Sequence, residues 1–462
     1  MKARQTSSLM VLPVLLTGMM LGQTQVINIT QPPYSCDSSG KTDVTTCIQR
    51  AMDSSISTGV QGGNGLPAHV VVFFPPGSYL ISGSLTVHQD YLSLVGAEAS
   101  WDYKTGQMAA NIVACSPQTP KCPRTGFTGN PEPGFYYTTK YNQNETALLD
   151  ASRHTHLLIK NLGVQCSNIS NQDGIFMGTT PGTLLSLVSE ITNNSIGGCN
   201  LGIHIEGTSV AQIKSNNIVV PSGSTAGATG MFLVYFYDSQ IEDNYIHVSP
   251  KYVPSSSWDV QGNGITWLWG SNTTLRGGKL EWNAGGVYIH EGYGIIISDI
   301  NFDNNRAHNI IVRSGGPAVN SMSITITGNR FLAGASITDK HGDYPGAGLV
   351  FEADKGGITR AVITGNSFRK AGACGSDVCT TGEPTGPSNE AIYVNSDSST
   401  TSGTHADIVV SGNDFIDSAG TSSSKGAAIV VNGANSHVHW CGNQNNLART
   451  ATNSGYIGVC DQ

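Results

Sequence analysis

The sequence predicts an all-β protein, a single right-handed parallel β-helix of about ten coils with an N-terminal capping helix. One repeat is a small residue followed by alternating aliphatic residues; it occurs nine times within residues 173–431, for example as GGVYI at 285–289. A second repeat is a strand broken by a small or amide residue, as in SITITGNRF at 323–331. Strict period-2 alternation that recurs every few tens of residues is typical of stacked strands, because no single repeat can bury its own apolar face.

The composition agrees with such a stack. The 462 residues include 56 glycines, and only 12% are charged, which suits short strands joined by tight turns. The net charge is −8 and there is no basic cluster, so nucleic acid is excluded as an expected partner.

The first 22 residues have the pattern of a secretory signal peptide. Lys2 and Arg4 precede an apolar stretch at 9–16 that is too short to cross a bilayer. We therefore expect a mature β-helix domain over 23–462 that is secreted and extracellular, or periplasmic in a bacterium, and that has no membrane partner. Its oligomeric state is left open between a monomer and a homotrimer.

Ten cysteines form neighbouring pairs along the chain and predict five disulfides in an oxidising compartment. The pairs are Cys36/Cys47, Cys115/Cys122, Cys166/Cys199, Cys374/Cys379 and Cys441/Cys460. We expect the third pair to link successive coils at the end of the second repeated strand. No pair has the spacing of a metal site, so no bound metal is predicted.

Segments at both ends are predicted to cover the open ends of the stack. Asp43 is a good N-cap for a helix over 43–54, in which Val44, Ile48 and Ala51 share one face. Residues 436–462 are expected to form the C-terminal cap. Residues 97–155 are irregular and aromatic and are expected to form a side lobe.

The N-terminal third resembles a known family. The helix carries Asp43, Ile48, Gln49 and Ala51, and the FFPPGSYLI segment that follows at 73–81 supplies an F-x-P-x-G-x-Y-x-I pattern. This arrangement, followed by the small-residue repeat, is similar to the pectate lyase superfamily of right-handed β-helices, in the branch of rhamnogalacturonase-like and tailspike proteins. The resemblance implies the fold over the mature chain and an activity among lyases, hydrolases, epimerases or non-catalytic binders. The catalytic motifs of polygalacturonases and classical pectate lyases are missing, so their residues cannot be carried over.

Loop lengths predict where a cleft lies. The distance from the first repeated strand to the end of the second is constant at 16 residues in four successive coils, whereas the returns to the next coil vary. Short returns at 281–285 and 303–308 lie between long ones at 247–263 and 332–347. Variable loops on a fixed scaffold commonly carry binding sites, so we expect a valley floored by the strands at 286–290 and 309–313.

Strand alternation selects the side chains that face this valley. Tyr288 and His290 point outward between inward Val287 and Ile289, and by the same parity Arg313 and Glu352 point outward on the next two coils. The predicted catalytic residues are His290, Arg313, Glu352 and Glu291. The predicted substrate-binding residues are Tyr288, Trp258, Trp282, Asp303, His204 and Glu206. Glu281, Asp303, Glu291 and His308 are expected on the rim, and Trp267 has inward parity.

Two chemistries fit these residues, with a polysaccharide as the substrate partner in each. Hydrolysis needs two carboxyl groups, for which Glu352 with Glu291 or Asp303 are candidates. β-Elimination of a uronate polymer needs a base and a cation, for which His290 or Tyr288 and Arg313 are candidates. No cofactor is predicted, although a lyase could use Ca²⁺ at a site that the sequence does not identify. The rival class is a non-catalytic glycan-binding or adhesin-like β-helix.

Asn329, Asn366 and Asn413 follow the same position in successive repeats. We expect a structural role for them, as a stacked ladder of amides with Asn329 and Asn366 in left-handed turns.

Overall fold

The computed structural model describes most of the repeat region and parts of both ends. The described residues are 24–58, 69–97, 108–115, 146–151, 154–167, 172–178, 185–200, 201–220, 228–248, 262–305, 308–314, 322–334, 348–353, 358–369, 391–396, 406–416, 428–433, 436–445, 450–452 and 456–460. The predicted signal peptide, the long returns at 249–261 and 335–347 and most of the expected side lobe lie outside them.

The N-terminal helix runs from Thr45 to Thr58. Asp43 caps it, because its carboxylate accepts hydrogen bonds from the Thr45 backbone N–H at 3.0 Å and the Thr45 hydroxyl at 2.6 Å. Val44, Ile48 and Ala51 are buried at 4%, 0% and 0% exposure and join the main core. The helix therefore packs its apolar face onto the first strands of the stack.

All other elements are short strands that pair in parallel, so the predicted β-helix is confirmed. They stack in three ladders. The first ladder contains Leu85–Thr86, Thr146–Asp150, Gln172–Gly178, Leu201–Lys214, Thr229–Tyr237, Asn263–Ser271, Gly285–Ser298, His308–Ser314, Leu349–Ala353, Ile392–Ser396, Ile429–Asn432 and Thr450–Thr452.

The second ladder begins with Gln25–Asn28, Val70–Phe74, Leu92–Gly96, Leu158–Lys160 and Leu185–Thr192. The long strands Leu201–Lys214 and Gly285–Ser298 turn from the first ladder into this one. The remaining members are Gln240–Glu242, Thr274–Arg276, Ser323–Thr327, Ile358–Thr364, Ala406–Ser411, Ser436–Cys441 and Tyr456–Val459.

Within the described residues, the third ladder is a separate sheet of 13 strands. It contains Ser39–Asp43, Gly77–Ile81, Ala110–Ala114, Gly163–Gln165, Ser195–Gly197, Asn217–Val220, Tyr245–Val248, Lys279–Glu281, Asn301–Asn305, Arg330–Gly334, Ser367–Arg369, Asp414–Ile416 and Gln444–Asn445. Ser436–Cys441 and Tyr456–Val459 pair with each other, so the segment expected as a C-terminal cap contributes strands to the second ladder.

Alternation along each strand fills the space between the ladders with aliphatic and aromatic side chains. The inward parity of Trp267 is confirmed, since its side chain is fully buried in this core. Four phenylalanines from successive third-ladder strands stack on one another, with ring centroids 5.0, 4.6 and 4.8 Å apart. They are Phe302, Phe331, Phe368 and Phe415. Identical rings at one position of each coil lock the register of the stack.

The amide ladder is present, but its left-handed residue is not the asparagine. The Asn366 side-chain oxygen accepts from the Asn329 backbone N–H at 2.9 Å, while its amide group donates to the Ile326 carbonyl and to Asn413, both at 2.9 Å. Positive φ occurs one residue earlier, at Gly328 and its equivalents Gly365 and Gly412. The prediction of left-handed asparagines was therefore wrong. Glycine takes the left-handed position, which leaves the asparagine free to bond inward.

Three predicted disulfides are confirmed: Cys36–Cys47, Cys166–Cys199 and Cys441–Cys460. Cys166 follows Gly163–Gln165 and Cys199 lies two residues after Ser195–Gly197, and these two third-ladder strands pair with each other, so this bond joins successive coils. Cys122, Cys374 and Cys379 lie outside the described residues.

The ladder predicts a stability effect. Replacing Asn366 by alanine should lower the free energy of unfolding by about 2–4 kcal/mol, because the Asn329 backbone N–H and the Ile326 carbonyl lose buried partners. Urea denaturation would measure the loss. The half-exposed Asn395 on the outer face is the matched control, and a similar loss in Asn395→Ala and Asn366→Ala would contradict the structural role of the ladder.

Candidate functional site

The predicted polar column lies on the outer face of the first ladder. His290 pairs in register with Arg313, and Arg313 with Glu352. Because all three strands are parallel and in register, their outward side chains lie one above another at the strand spacing of about 4.8 Å.

Within this column Arg313 and Glu352 form an ion pair. The Arg313 Nε lies 3.1 Å from the Glu352 Oε2, and the two side chains are 32% and 16% exposed. The guanidinium is therefore already balanced by a carboxylate of the protein at an accessible position.

The turn from the first to the second ladder places further side chains beside this column. In four successive coils the first residue of the turn has a positive φ: 71° at Gly207, 51° at Tyr235, 51° at Trp269 and 60° at Glu291. We call these four residues the aromatic corner. A left-handed backbone is ordinary for glycine but uncommon for bulky side chains. Such outliers persist where the surrounding structure holds them and are concentrated at functional sites.

The aromatic corner ends in a carboxyl group. The Tyr235 and Trp269 rings stack with centroids 5.3 Å apart and planes inclined by 16°. Trp269 then donates its indole N–H to the Glu291 Oε2 at 2.5 Å. The other carboxyl oxygen of Glu291 is 3.9 Å from the His290 Nε2, and the Trp269 and His290 ring centroids are 5.8 Å apart. A half-buried aromatic platform therefore adjoins a carboxyl group and an imidazole.

The environment of Glu291 favours its protonated form. Burial raises the pKa of this carboxyl above its ordinary value of 4.5, and the hydrogen bond from Trp269 offsets only part of that effect. Glu291 was expected on the rim of the valley, but it is 6% exposed. A carboxyl group whose pKa is raised is a candidate for general acid catalysis.

Tyr288 is not the exposed platform that parity predicted. It points outward but is only 3% exposed, because it belongs to an apolar cluster on the outer face of the first ladder. The buried members of this cluster are Leu201, Phe232, Val234, Leu268, Tyr288, Ile311 and Val350. Alternation decides which way a side chain points, but it does not decide whether that face is covered.

His204 and Glu206 are also buried rather than open to a substrate. The His204 Nδ1 is 2.8 Å from the Asp173 Oδ2, and its Nε2 is 2.9 Å from the Glu206 Oε1. The rings of Phe176 and Phe232 contact the imidazole edge-on, with centroids 4.8 and 5.2 Å away. The two carboxylates therefore occupy both ring nitrogens of His204, and the two phenylalanine rings cover both of its faces.

Charge holds this Asp173–His204–Glu206 triad together. Burial alone would lower the pKa of His204, but the two carboxylates outweigh it and raise that pKa to about 10. Burial also raises the pKa of Asp173. The triad is therefore a buried ion cluster, and His204 and Glu206, which the sequence predicts to bind substrate, are not on an open surface.

The other expected site residues are dispersed. Trp258 lies outside the described residues. Glu281 and Asp303 both pair with Lys279 on the third ladder. His308 is 3% exposed, and burial lowers its pKa to about 4, so it is a buried neutral side chain rather than a rim residue. Trp282 lies at the opposite edge of the first ladder from the aromatic corner.

Sequence reasoning missed the platform formed by Tyr235 and Trp269. Both residues stand five positions after the small residue of the first repeat, as does Glu291, and the same offset leads from Gly202 to Gly207. The glycine in one copy was the available signal, since it marks a left-handed position that the other copies fill with large side chains.

Over the residues that the structure describes, no three or more His, Cys, Asp or Glu side chains are grouped so that they could hold a metal ion. In the same part of the chain no helix is long and apolar enough to cross a membrane.

Two family models match the sequence. Residues 26–247 match the model described as rhamnogalacturonase A/epimerase, pectate lyase-like, and residues 255–391 match the right-handed β-helix region. A comparison with curated protein sequences finds no match.

Solved structures share the fold at low identity. The Dettilon tailspike protein is 15% identical with a TM-score of 0.59, over 94% of this chain and 68% of that one. DFA-IIIase from Arthrobacter chlorophenolicus A6 is 10% identical with a TM-score of 0.55, over 92% and 98%. The catalytic unit of a GH87 α-1,3-glucanase from Streptomyces thermodiastaticus is 15% identical with a TM-score of 0.50, over 94% and 68%.

The buried triad predicts a pH dependence of stability. Because folding raises the pKa of His204 from 6.5 to about 10, its stabilisation is complete below pH 6.5 and is lost as the pH rises towards 10. His204→Gln should cost about 3–5 kcal/mol at pH 6.5, since it leaves two buried carboxylates uncompensated, and the difference from wild type should shrink at alkaline pH.

Thermal melts of both proteins from pH 6 to 10 would measure this convergence. The half-exposed His439, 3.7 Å from Asp407, provides the control variant His439→Gln. A constant difference between His204→Gln and wild type across the range would show that His204 is not ionised in the folded protein.

Proposed function

We propose that this chain, which belongs to the pectate lyase-like right-handed β-helix proteins, hydrolyses glycosidic bonds of an uncharged polysaccharide at the aromatic corner. The observation that carries the proposal is Glu291, a buried carboxyl group with a raised pKa that is held by Trp269 at the end of an aromatic platform. The family includes glycan-acting enzymes, and one structural relative is named as an α-1,3-glucanase. At 15% identity that relative supports the fold, so the reaction is argued from the site.

Tyr235 and Trp269 suit a sugar ring. Stacked aromatic side chains that are half-buried present a flat apolar surface together with a polar edge. A sugar packed on this surface would have its glycosidic oxygen beside Glu291. The chain's net charge of −8 disfavours a polyanionic substrate and favours a neutral one.

Glu291 is assigned as the general acid. In the proposed step its proton passes to the glycosidic oxygen while the bond from that oxygen to the anomeric carbon breaks. The hydrogen bond from Trp269 fixes one carboxyl oxygen and leaves the other on the side of His290.

Glu352 is assigned as the general base. It forms an ion pair with Arg313, and it would take a proton from the water whose oxygen bonds to the anomeric carbon. Glu352 is two strands from His290, a backbone distance of about 10 Å.

β-Elimination has weaker support. That reaction needs a cation to neutralise the substrate's carboxylate, and the Arg313 guanidinium is already paired with Glu352. A purely binding protein would use the platform but would not require a carboxyl group with a raised pKa.

Glu291→Gln should reduce the rate of hydrolysis by about 10²–10⁴-fold, because the amide cannot donate the proton. The assay is release of reducing ends from a panel of neutral polysaccharides (α-1,3-glucan, dextran and laminarin), with polygalacturonate and alginate as the uronate arm. Unsaturated-uronate absorbance is read in parallel.

Glu242→Gln is the matched control, since Glu242 pairs with Lys214 and Arg276 on the second ladder, away from the aromatic corner. If reducing ends appear together with unsaturated uronate, the reaction is elimination and not hydrolysis. Neither signal on any polymer would favour the binding protein.

Trp269→Phe tests the hydrogen bond to Glu291 specifically. The indole N–H lowers the Glu291 pKa, so its removal should raise that pKa further and move the alkaline limb of the kcat profile to higher pH, where the acid would otherwise lose its proton. The phenyl ring keeps an apolar surface beside Tyr235. If the alkaline limb does not move in Trp269→Phe, Glu291 is not the general acid.

A further inference from the structure

The other edge of the first ladder carries a second arrangement of aromatic and polar side chains. Trp282 is the residue that follows the third-ladder strand Lys279–Glu281, and its backbone N–H donates to the Asp303 carbonyl at 3.1 Å. Six residues of first-ladder strand, 285–290, separate this edge from Glu291, a span of about 20 Å. The two edges are therefore distinct surfaces.

Trp282 has a left-handed backbone, a conformation that two other coils of this ladder give to a glycine and an asparagine. Its φ is 58°, and on the same ladder a positive φ also occurs at Gly198, with φ 70°, directly after Ser195–Gly197, and at Asn304, with φ 54°, within Asn301–Asn305. Glycine and asparagine adopt this conformation easily, whereas a bulky aromatic residue is an outlier there. The indole is nevertheless half-buried rather than packed in the core, so packing of the core does not account for its presence.

The outer face of the third ladder beside Trp282 is a connected polar surface. Lys279 pairs with Glu281 and, at 3.1 Å, with Asp303, while the Tyr245 hydroxyl donates to Glu281. The rings of Tyr245 and His247 lie edge to face with centroids 6.5 Å apart. Lys279, Glu281 and Asp303 are 33%, 13% and 21% exposed, so this network is fixed yet accessible.

Charge in the network is nearly balanced. Burial alone would lower the pKa of Lys279, but its hydrogen bonds to Glu281 and Asp303 raise that pKa and keep the ammonium charged. Burial lowers the pKa of His247, which favours its neutral form. One cation, two carboxylates and a phenol give a surface rich in hydrogen-bond donors and acceptors but with little net charge.

We propose that Trp282, together with Lys279, Glu281, Asp303 and Tyr245, forms a second glycan-binding surface for a neutral polysaccharide. A sugar ring would pack on the indole while its hydroxyl groups exchange hydrogen bonds with the ammonium and carboxylate groups. The choice of a glycan as ligand rests on the proposed function, but the surface shares no residue with the aromatic corner. Its role would be to hold a polymer chain rather than to cleave it.

Affinity electrophoresis tests this surface directly. The full chain carrying Glu291→Gln, so that hydrolysis is suppressed, is run in native gels containing dextran, laminarin or pullulan, with polygalacturonate as the anionic comparison. Trp282→Asn in that background should weaken retardation by the neutral polymer about threefold to tenfold, the range expected for loss of one aromatic contact. Asparagine tolerates the left-handed turn, so its melting temperature should equal or exceed that of the parent.

Tyr293→Asn is the control, because Tyr293 is an aromatic side chain 56% exposed on another face of the stack. The proposal is overturned if Trp282→Asn keeps the parental retardation, if Tyr293→Asn loses as much, or if no neutral polymer retards the parent. Should Trp282→Asn prove unstable, Trp282→Gly, the residue at the equivalent Gly198 position, replaces it. Hydrolysis by the wild-type chain is measured separately, so loss of this surface and loss of the proposed activity are distinguishable.

Discussion

The in-register stacking of parallel strands is the constraint on which every other feature of this protein depends. A shift of one residue in any strand would send its core side chains to the surface and its surface side chains to the core. The buried amides prevent this shift because Asn329, Asn366 and Asn413 bond both to one another and to backbone groups of adjacent coils. The stacked phenylalanine rings also fix this register. A side chain that occupies one position of a coil is consequently held directly above its equivalent in the next coil.

That constraint explains how residues far apart in sequence make one site. Tyr235, Trp269 and Glu291 are separated by 34 and 22 positions, yet they occupy the same turn in three successive coils. Their left-handed backbone is of a kind that costs of order 1–3 kcal/mol for each non-glycine residue, and the ladders on both sides hold it in place. The turns before Asn329 and Asn366 differ, because there Gly328 and Gly365 adopt the left-handed backbone without strain.

The fold could be predicted from the sequence because alternation and repetition are local signals. The same signals placed His290, Arg313 and Glu352 in one column, since parity and strand order suffice for that. They failed for Tyr288 because burial of an outward side chain depends on what covers the face. They did not disclose that Glu281 and Asp303 pair with Lys279, because loop length locates a residue in a coil without specifying its ion-pair partner. The role of Trp269 depends on a left-handed turn, which only Gly207, in another coil, disclosed.

Two carboxyl–histidine arrangements on the first ladder show why burial alone does not identify a catalytic group. In the Asp173–His204–Glu206 triad, both imidazole nitrogens are used by carboxylates and phenylalanines cover both faces of the ring, so no reacting group can replace a partner without leaving a charge unpaired in the core. Glu291 is buried as well, but it lies at a turn, and its carboxylate accepts a close hydrogen bond from a neutral indole. A proton can leave Glu291 without breaking a buried ion cluster. This difference in how the carboxyl group is satisfied, more than its exposure, is the reason to place the chemistry at the aromatic corner.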